Sequence, residues 1–386
     1  MNVAEFKGLA NKRDPLMQGP SYLSNAVNVD VDDTSSIRRR VGSALAFSFN
    51  HITASYSLRN KSDAYIIADE NLILMSDQSV KISDMPTGHY VFDDFEDNVF
   101  VYGPRKIRLQ SGKAVDWDIP VCPQPLVRVI LGDQPAGIYQ ITAVYRNANG
   151  LEGSTSTPIV VQAGVNSALS IEVTQISNYT VTIYISPPNG KYMYQWMNTN
   201  IPNNVWNGSI TGLVSPLNPD QLGTTTVPDN CQCIAYHQSK MYLSQFIPAE
   251  NKTVVWFSKP FSYHLFDQAK DYFVVEGEIK ALVDVTKAIV IGTATSIYYY
   301  VDGELDKVAY YGVPEGKSFD RNDDGKVWMY TNKGICLLNE FANLTEVVYN
   351  FPISAKVSSA VIEQDGFERM INLLSDSNPA PNTFGS

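Results

Sequence analysis

Four groups of residues in this chain have the types and spacing that chemistry needs. The stretch DRNDDG, Asp320 to Gly325, sets oxygens at Asp320, Asn322 and Asp324 and a glycine at the sixth place, the first half of a calcium loop. The twelfth place is Thr331 rather than Glu and KVWMYT reads as a strand, so a plain Asp-Gly hairpin competes with a calcium turn. HYVFDDFED supplies Asp93, Asp94, Glu96 and Asp97, the raw material of a glycosidase pair. Sugar hydrolysis needs two carboxylates facing each other across roughly 5 to 9 Å. On a strand, Asp93 and Asp97 share one face and Asp94 takes the other. No second acidic site or sugar-stacking aromatic accompanies them, so these acids read as solvated loop and strand-face groups.

SIYYYVDG and VAYYG place five tyrosines within 14 residues, among them Tyr298, Tyr300 and Tyr310. Tyrosine rings bury area at low entropic cost while the hydroxyl still bonds, which suits protein interfaces and saccharide contacts. Tyr298 and Tyr300 face one way on a strand and Tyr299 the other, so one face is inter-sheet packing and the outward members are the binding candidates. The fourth group is Arg38, Arg39 and Arg40 in NVDVDDTSSIRRRVG, preceded by Asn28, Asp30 and Asp32 in alternation. It reads as an edge strand, a turn over Asp32 to Ser36 and a second strand through Ile37. The arginines either pair with nearby carboxylates or reach an acidic neighbouring subunit, which the guanidinium fork does better than lysine.

The inventory for nucleophilic catalysis is poor. Histidines 51, 89, 237 and 264 are scattered, no Gly-x-Ser-x-Gly elbow occurs, and IVIGTATS lacks the lysine of a phosphate loop. No catalytic residue is assigned. Cysteines 122, 231, 233 and 336 form no CxxC pair, which points to reduced, buried thiols rather than a metal site or disulfide framework.

The elements that must carry these residues are β-strands. The 386 residues hold 22 Tyr, 16 Phe and 5 Trp, in short apolar runs broken by 24 Gly and 21 Pro. A net charge of −11, with one short basic cluster, argues against nucleic acid as partner. No apolar run approaches the ~20 residues of a membrane span, and MNVAEFKGLANKRDP does not read as a secretory signal.

From Ala44 to Pro120 the segments SALAFSFN, DAYIIAD, NLILMS, SVKISD, HYVFDDFEDNVFVYG, RKIRLQSG and KAVDWDIP read as short strands, with hairpins near Gly103-Pro104 and at Ser111-Gly112. Prolines 120, 123, 125 and 135 mark VCPQPLVRVILGDQP as a domain junction. Beyond it, GIYQITAVYRNANGLEGSTSTPIVV and ALSIEVTQISNYTVTIYISPPNGKYMYQWM alternate apolar and polar residues, as in a β-sandwich of fibronectin type III style. After Asp229 the earlier strand rhythm resumes. The expected organisation is all-β: residues 1–125 and 230–374 form a discontinuous propeller-like domain of roughly six blades, 126–229 an inserted sandwich, and 375–386 a polar flexible tail.

At this point the chain resembles the virion tail proteins of tailed bacteriophages that have a β-propeller body. The resemblance rests first on Phe6, Gly8, Asn11, Pro15, Ala26, Asn28, Val29, Asp30, Asp32, Arg39, Arg40 and Gly42. It continues in GIYQITAVYRNANGLEGSTS, and then in HQSKMYLSQ, VVWFSKPFSYHLFD, IVIGTATSIYYYVDG and DDGKVWMYTNKGI. It implies a non-enzymatic virion component at the tail tip, baseplate or nozzle, assembled in the host cytoplasm. Its partners would be other tail subunits in a homo-oligomer or symmetric hetero-assembly. The alternative it implies is a receptor-binding protein contacting a host pilus or surface glycan. A propeller hydrolase or lyase ranks behind both, for want of a convergent acid cluster.

Overall fold

The structure is a computed structural model and describes residues 29–31, 37–39, 47–208, 212–339, 342–343, 356–364 and 367–375. It is an all-β protein of propeller-like and sandwich sheets. Strands β1 (Val29–Val31) and β2 (Ile37–Arg39) pair as an antiparallel hairpin, with Asp30 opposite Arg38. Next come two four-stranded sheets. The first holds β3 (Ile52–Ser57), β4 (Ala64–Ala68), β5 (Asn71–Leu74) and β6 (Val80–Ile82); the second holds β7 (Val91–Phe95), β8 (Asn98–Tyr102), β9 (Ile107–Gln110) and β10 (Lys113–Asp116). Each sheet runs in simple sequential order, as a propeller blade does.

The sandwich follows, with β11 (Leu126–Gln134), β12 (Gly137–Arg146), β13 (Ile159–Ala163), β14 (Ser167–Glu172), β15 (Thr180–Ile185), β16 (Tyr194–Thr199) and β17 (Asn203–Trp206). These form a three-stranded sheet of order β11-β14-β17 and a four-stranded sheet of order β13-β12-β15-β16. Sequential four-stranded sheets then resume. One is β18 (Cys233–His237), β19 (Lys240–Ile247), β20 (Lys252–Phe257) and β21 (Tyr272–Glu276); the next is β22 (Ile279–Val285), β23 (Ala288–Thr293), β24 (Ile297–Val301) and β25 (Glu304–Ala309). After β26 (Glu315–Lys317) comes the sheet of β27 (Phe319–Arg321), β28 (Val327–Thr331), β29 (Gly334–Leu337) and β30 (Ala342–Asn343). Strand β26 instead pairs in parallel with β31 (Lys356–Gln364), which pairs with β32 (Phe367–Ser375). Among the described residues, then, five sequential four-stranded sheets and one three-stranded sheet stand where roughly six blades were expected.

Local chemistry explains the sharpest hairpins. Asp69-Glu70 joins β4 to β5, Ser111-Gly112 joins β9 to β10, Gln238-Ser239 joins β18 to β19, and Asp302-Gly303 joins β24 to β25, all with both residues at positive φ. That is the primed turn whose twist matches its flanking strands. One reading of the sequence changes. The first blade begins at β3, whose ITASYS went unread, and residues 47–50 of SALAFSFN lie outside any strand. At the expected start of the sandwich, LVRVILGDQ forms the nine-residue edge strand β11. The chain divides into two compact units, the first comprising Met1–Phe95, Phe246–Thr253 and Val275–Ser386, the second Glu96–Gln245 and Val254–Val274. Arg40 and residues 376–386 lie outside the described residues.

Each unit has its own core. In the second, every other residue of β12 (Tyr139, Ile141, Ala143, Tyr145) faces inward with Leu169, Ile171, Val181, Ile183, Ile185 and Trp206. This is the period-2 pattern visible in the sequence. In the first, Val283 and Val285 of β22, Val290 of β23, Val327 and Met329 of β28 and Cys336 of β29 pack one blade against the next.

Candidate functional site

A polar cluster in the first unit is built around a short loop. After β3, the loop closes on itself: the Leu58 N–H donates to the Asp63 carbonyl at 3.0 Å and the Lys61 N–H to the Leu58 carbonyl at 2.9 Å. That turn fixes Arg59 and Lys61. Arg59 clasps Asp93 of β7 through Nε at 2.9 Å and Nη2 at 2.6 Å, and its backbone N–H donates to Asp94 at 2.9 Å. Its remaining nitrogen, Nη1, reaches Asp284 of β22 at 2.8 Å. The Tyr56 hydroxyl, one strand earlier, donates to Asp94 at 2.7 Å and lies 3.2 Å from Asp93.

The cluster continues through β27. Arg321 approaches the Asp284 carboxylate at 3.3 Å and also donates to the Asp284 carbonyl. Asp320 accepts from Lys61 at 2.5 Å, from Lys317 at 3.1 Å and from the Val361 N–H at 2.7 Å. Four cations (Arg59, Lys61, Lys317, Arg321) thus face four carboxylates (Asp93, Asp94, Asp284, Asp320) on strands β7, β22 and β27. Placing charges in a low-dielectric site is costly unless each is paired or hydrogen-bonded; here all are, Asp94 through the Tyr56 hydroxyl and the Arg59 backbone N–H.

The electrostatics follow from that packing. Burial opposes the charge on Arg59, but Asp93 outweighs it and holds the guanidinium protonated more firmly than usual. Burial pushes the Tyr56 hydroxyl well up, with Asp93 and Asp94 adding to it. Burial also raises Asp94, against the lowering effect of the Tyr56 hydrogen bond. For Asp320, burial is outweighed by Lys317 and Lys61, which hold the carboxyl below its ordinary range. What such an arrangement does is clamp sheets together, since its donors and acceptors are directed at one another.

The residues singled out from sequence are distributed as follows. Asp93 and Asp94, read as solvated, are buried in the cluster, whereas Glu96 and Asp97 occupy the exposed turn after β7. At the calcium candidate, Asp320 accepts from two ammonium groups, and Asn322 closes a hairpin by accepting from the Lys326 N–H at 2.7 Å and donating to Glu368. Asp324 sits in the exposed turn beside Gly325, which adopts φ 78°. Among the described residues no group of three or more His, Cys, Asp or Glu has the arrangement of a metal site.

The tyrosines divide differently from the expectation. Tyr298 is buried rather than outward, with its cross-strand partner Lys307 at 5.2 Å over its ring, and Tyr300 is half-buried. Tyr299 donates to the Leu338 carbonyl and packs on the blade core. Tyr310 is 86% exposed, its ring 5.4 Å from the same Lys307. Arg38 and Arg39 lie on β2, with Arg39 opposite Val29. In the second unit, His264 is buried and Nε2 donates to the Glu152 carbonyl at 2.7 Å; burial brings its pKa down to about 4.

Sequence reasoning missed Arg59, Lys61, Asp284, Lys317 and Arg321. A signal was present: Asp284 is the single charge in the buried run ALVDV, and a lone acid in a core strand implies a buried cation somewhere.

No family profile matches this chain, and no curated protein sequence matches it. Among solved structures it is similar to Kluyveromyces lactis Hsv2 at 8% identity and TM-score 0.31, covering 83% of this chain and 89% of that one. It is similar to a complex of the fission yeast SREBP-SCAP binding domains at 9% identity and TM-score 0.31, covering 88% and 94%. It is also similar to PorZ, a surface component of the type-IX secretion system of Porphyromonas gingivalis, at 8% identity and TM-score 0.20, covering 81% and 49%.

Proposed function

We propose that this chain is a non-enzymatic structural component of a tailed-phage virion, in the tail tip, baseplate or nozzle, working through symmetric protein–protein contacts. The observation that carries this reading is β11. It is a nine-residue edge strand whose Leu126, Val129, Ile130 and Leu131 are exposed, Leu131 at 92%. A long apolar edge of this kind templates association unless a partner covers it. The cluster around Arg59 supports the same reading, because its charges are spent on holding blades in register. The resemblance of the N-terminal segment supplies the phage setting, and the β1–β2 hairpin forms where that segment was read as two strands.

Mass spectrometry and immunogold labelling of purified particles test the proposal. The chain should be found at a fixed copy number in the tail, and its absence from particles overturns the reading. Arg38→Glu with Arg40→Glu should leave the chain folded but block incorporation.

The second reading, a receptor-binding protein contacting a pilus or surface glycan, is favoured by Tyr310, an exposed ring held beside Lys307. Saturable binding of labelled protein to host cells, lost on receptor-deficient cells, would promote it. A propeller hydrolase or lyase stays behind both, since Asp93, Asp94 and Asp284 are committed to Arg59, Tyr56 and Arg321.

A further inference from the structure

Every non-glycine residue at positive φ among the described residues is polar or charged, with one exception, Phe261 at φ 58°. An aromatic side chain is a poor occupant of this left-handed region, where its Cβ crowds the following carbonyl. The residue nevertheless sits in a rigid turn. The Ser262 N–H donates to the Lys259 carbonyl at 3.1 Å across Pro260 and Phe261. Proline presets the first central position of a type II turn, and the second, where Phe261 stands, is the one that demands glycine or asparagine. The Phe261 N–H is further tied to the Ser239 carbonyl at 2.8 Å, and the Lys259 N–H to the Leu265 carbonyl at 2.9 Å.

The ring gains little within the chain for this strain, because Phe261 is 76% exposed. Folding is thus served better by glycine or asparagine at this position, while the backbone holds a large apolar side chain rigidly outward. Strain retained at a position that gives the fold nothing is a mark of function. A pre-ordered aromatic that projects from a turn matches the anchors that dominate protein interfaces, since little entropy remains to be lost when it enters a pocket.

We propose that Phe261 is the anchor of an intermolecular contact and inserts into an apolar pocket on a neighbouring protein subunit. This deepens the virion reading and rests on it. A protein pocket is favoured over an anionic lipid surface because the chain carries a net charge of −11 and the lysine of the same turn, Lys259, is paired with Asp271 at 2.7 Å.

The test is complementation. Full-length wild type, Phe261→Gly, Phe261→Asn and Phe261→Trp are supplied to cells producing particles that lack the chain, and copies per particle are counted by quantitative mass spectrometry. Phe261→Gly and Phe261→Asn should raise the urea midpoint of the purified chain yet lower incorporation at least tenfold, with Phe261→Trp retaining incorporation. Wild-type incorporation of the Gly and Asn variants overturns the anchor while leaving the virion reading standing, and a lowered midpoint overturns the strain argument beneath it. Absence of the wild-type chain from particles overturns both proposals. Co-sedimentation of wild type, but not Phe261→Gly, with phosphatidylglycerol vesicles overturns the protein pocket in favour of a membrane.

Discussion

Arg59 and Asp93 form a two-point ion pair, Nε to Oδ1 at 2.9 Å and Nη2 to Oδ2 at 2.6 Å, with side chains only 19% and 11% exposed. The planar fork matches the carboxylate edge to edge, and the nitrogen left over reaches Asp284, 225 residues away in sequence. One side chain thereby fixes β7 and β22 relative to the loop after β3.

Arg59→Met leaves Asp93 and Asp284 partly buried without their main cation, and a broken buried pair typically costs about 3 to 5 kcal/mol. Urea denaturation should show a loss toward the lower end of that range, because Arg321 still approaches Asp284. Arg59→Lys should recover only part of it, since a point charge cannot make the two-point contact. A change below about 1 kcal/mol would mean that the clasp does not hold the blades.

His264 gives the second unit a pH dependence of known sign. Its folded pKa, about 4, lies below the ordinary 6.5, so between these values the unfolded chain binds a proton that the folded chain refuses. This contribution is fully present above pH 6.5 and is lost as pH falls toward 4. The difference corresponds to about 3 kcal/mol. Stability measured against pH should therefore fall less steeply across this window in His264→Gln than in wild type, and equal slopes would refute the assignment.

In the turn at Asp320 to Gly325, Asp320 pairs with Lys61 and Lys317, and Asn322 bonds to Lys326 and Glu368. Chelator, or added calcium, should leave the melting temperature within about 1 °C. Asp320→Asn, by contrast, removes the negative charge that Lys61 and Lys317 share and should destabilise by about 2 kcal/mol. A calcium-dependent rise in melting temperature would restore the ion-binding reading.

Gly312 is required for space. A Cβ there would stand 2.1 Å from the Thr293 carbonyl oxygen and 2.2 Å from the Ala294 carbonyl carbon, both backbone atoms that cannot step aside. Gly312→Ala should cost about 2 kcal/mol or more by overpacking, read as a lowered denaturation midpoint.

Much of the fold was legible because strands announce themselves locally. Alternation in GIYQITAVYR placed Tyr139, Ile141, Ala143 and Tyr145 on one face, and Ser111-Gly112 marked its own hairpin, since side-chain period and turn φ are properties of adjacent residues. Edge position was not legible: the prolines before LVRVILGDQ marked where the sandwich begins, and only its pairing with β14 shows a strand with one free side. The cluster was legible least of all. Asp93 and Asp94 read as solvated acids because their cation, Arg59, lies 34 residues away, and Asp284 lies farther still. Composition and periodicity fix which residues can face inward, but a charge is buried or solvated according to what lies across from it. That partner is chosen by the packing of sheets, a relationship between distant segments that no local pattern encodes.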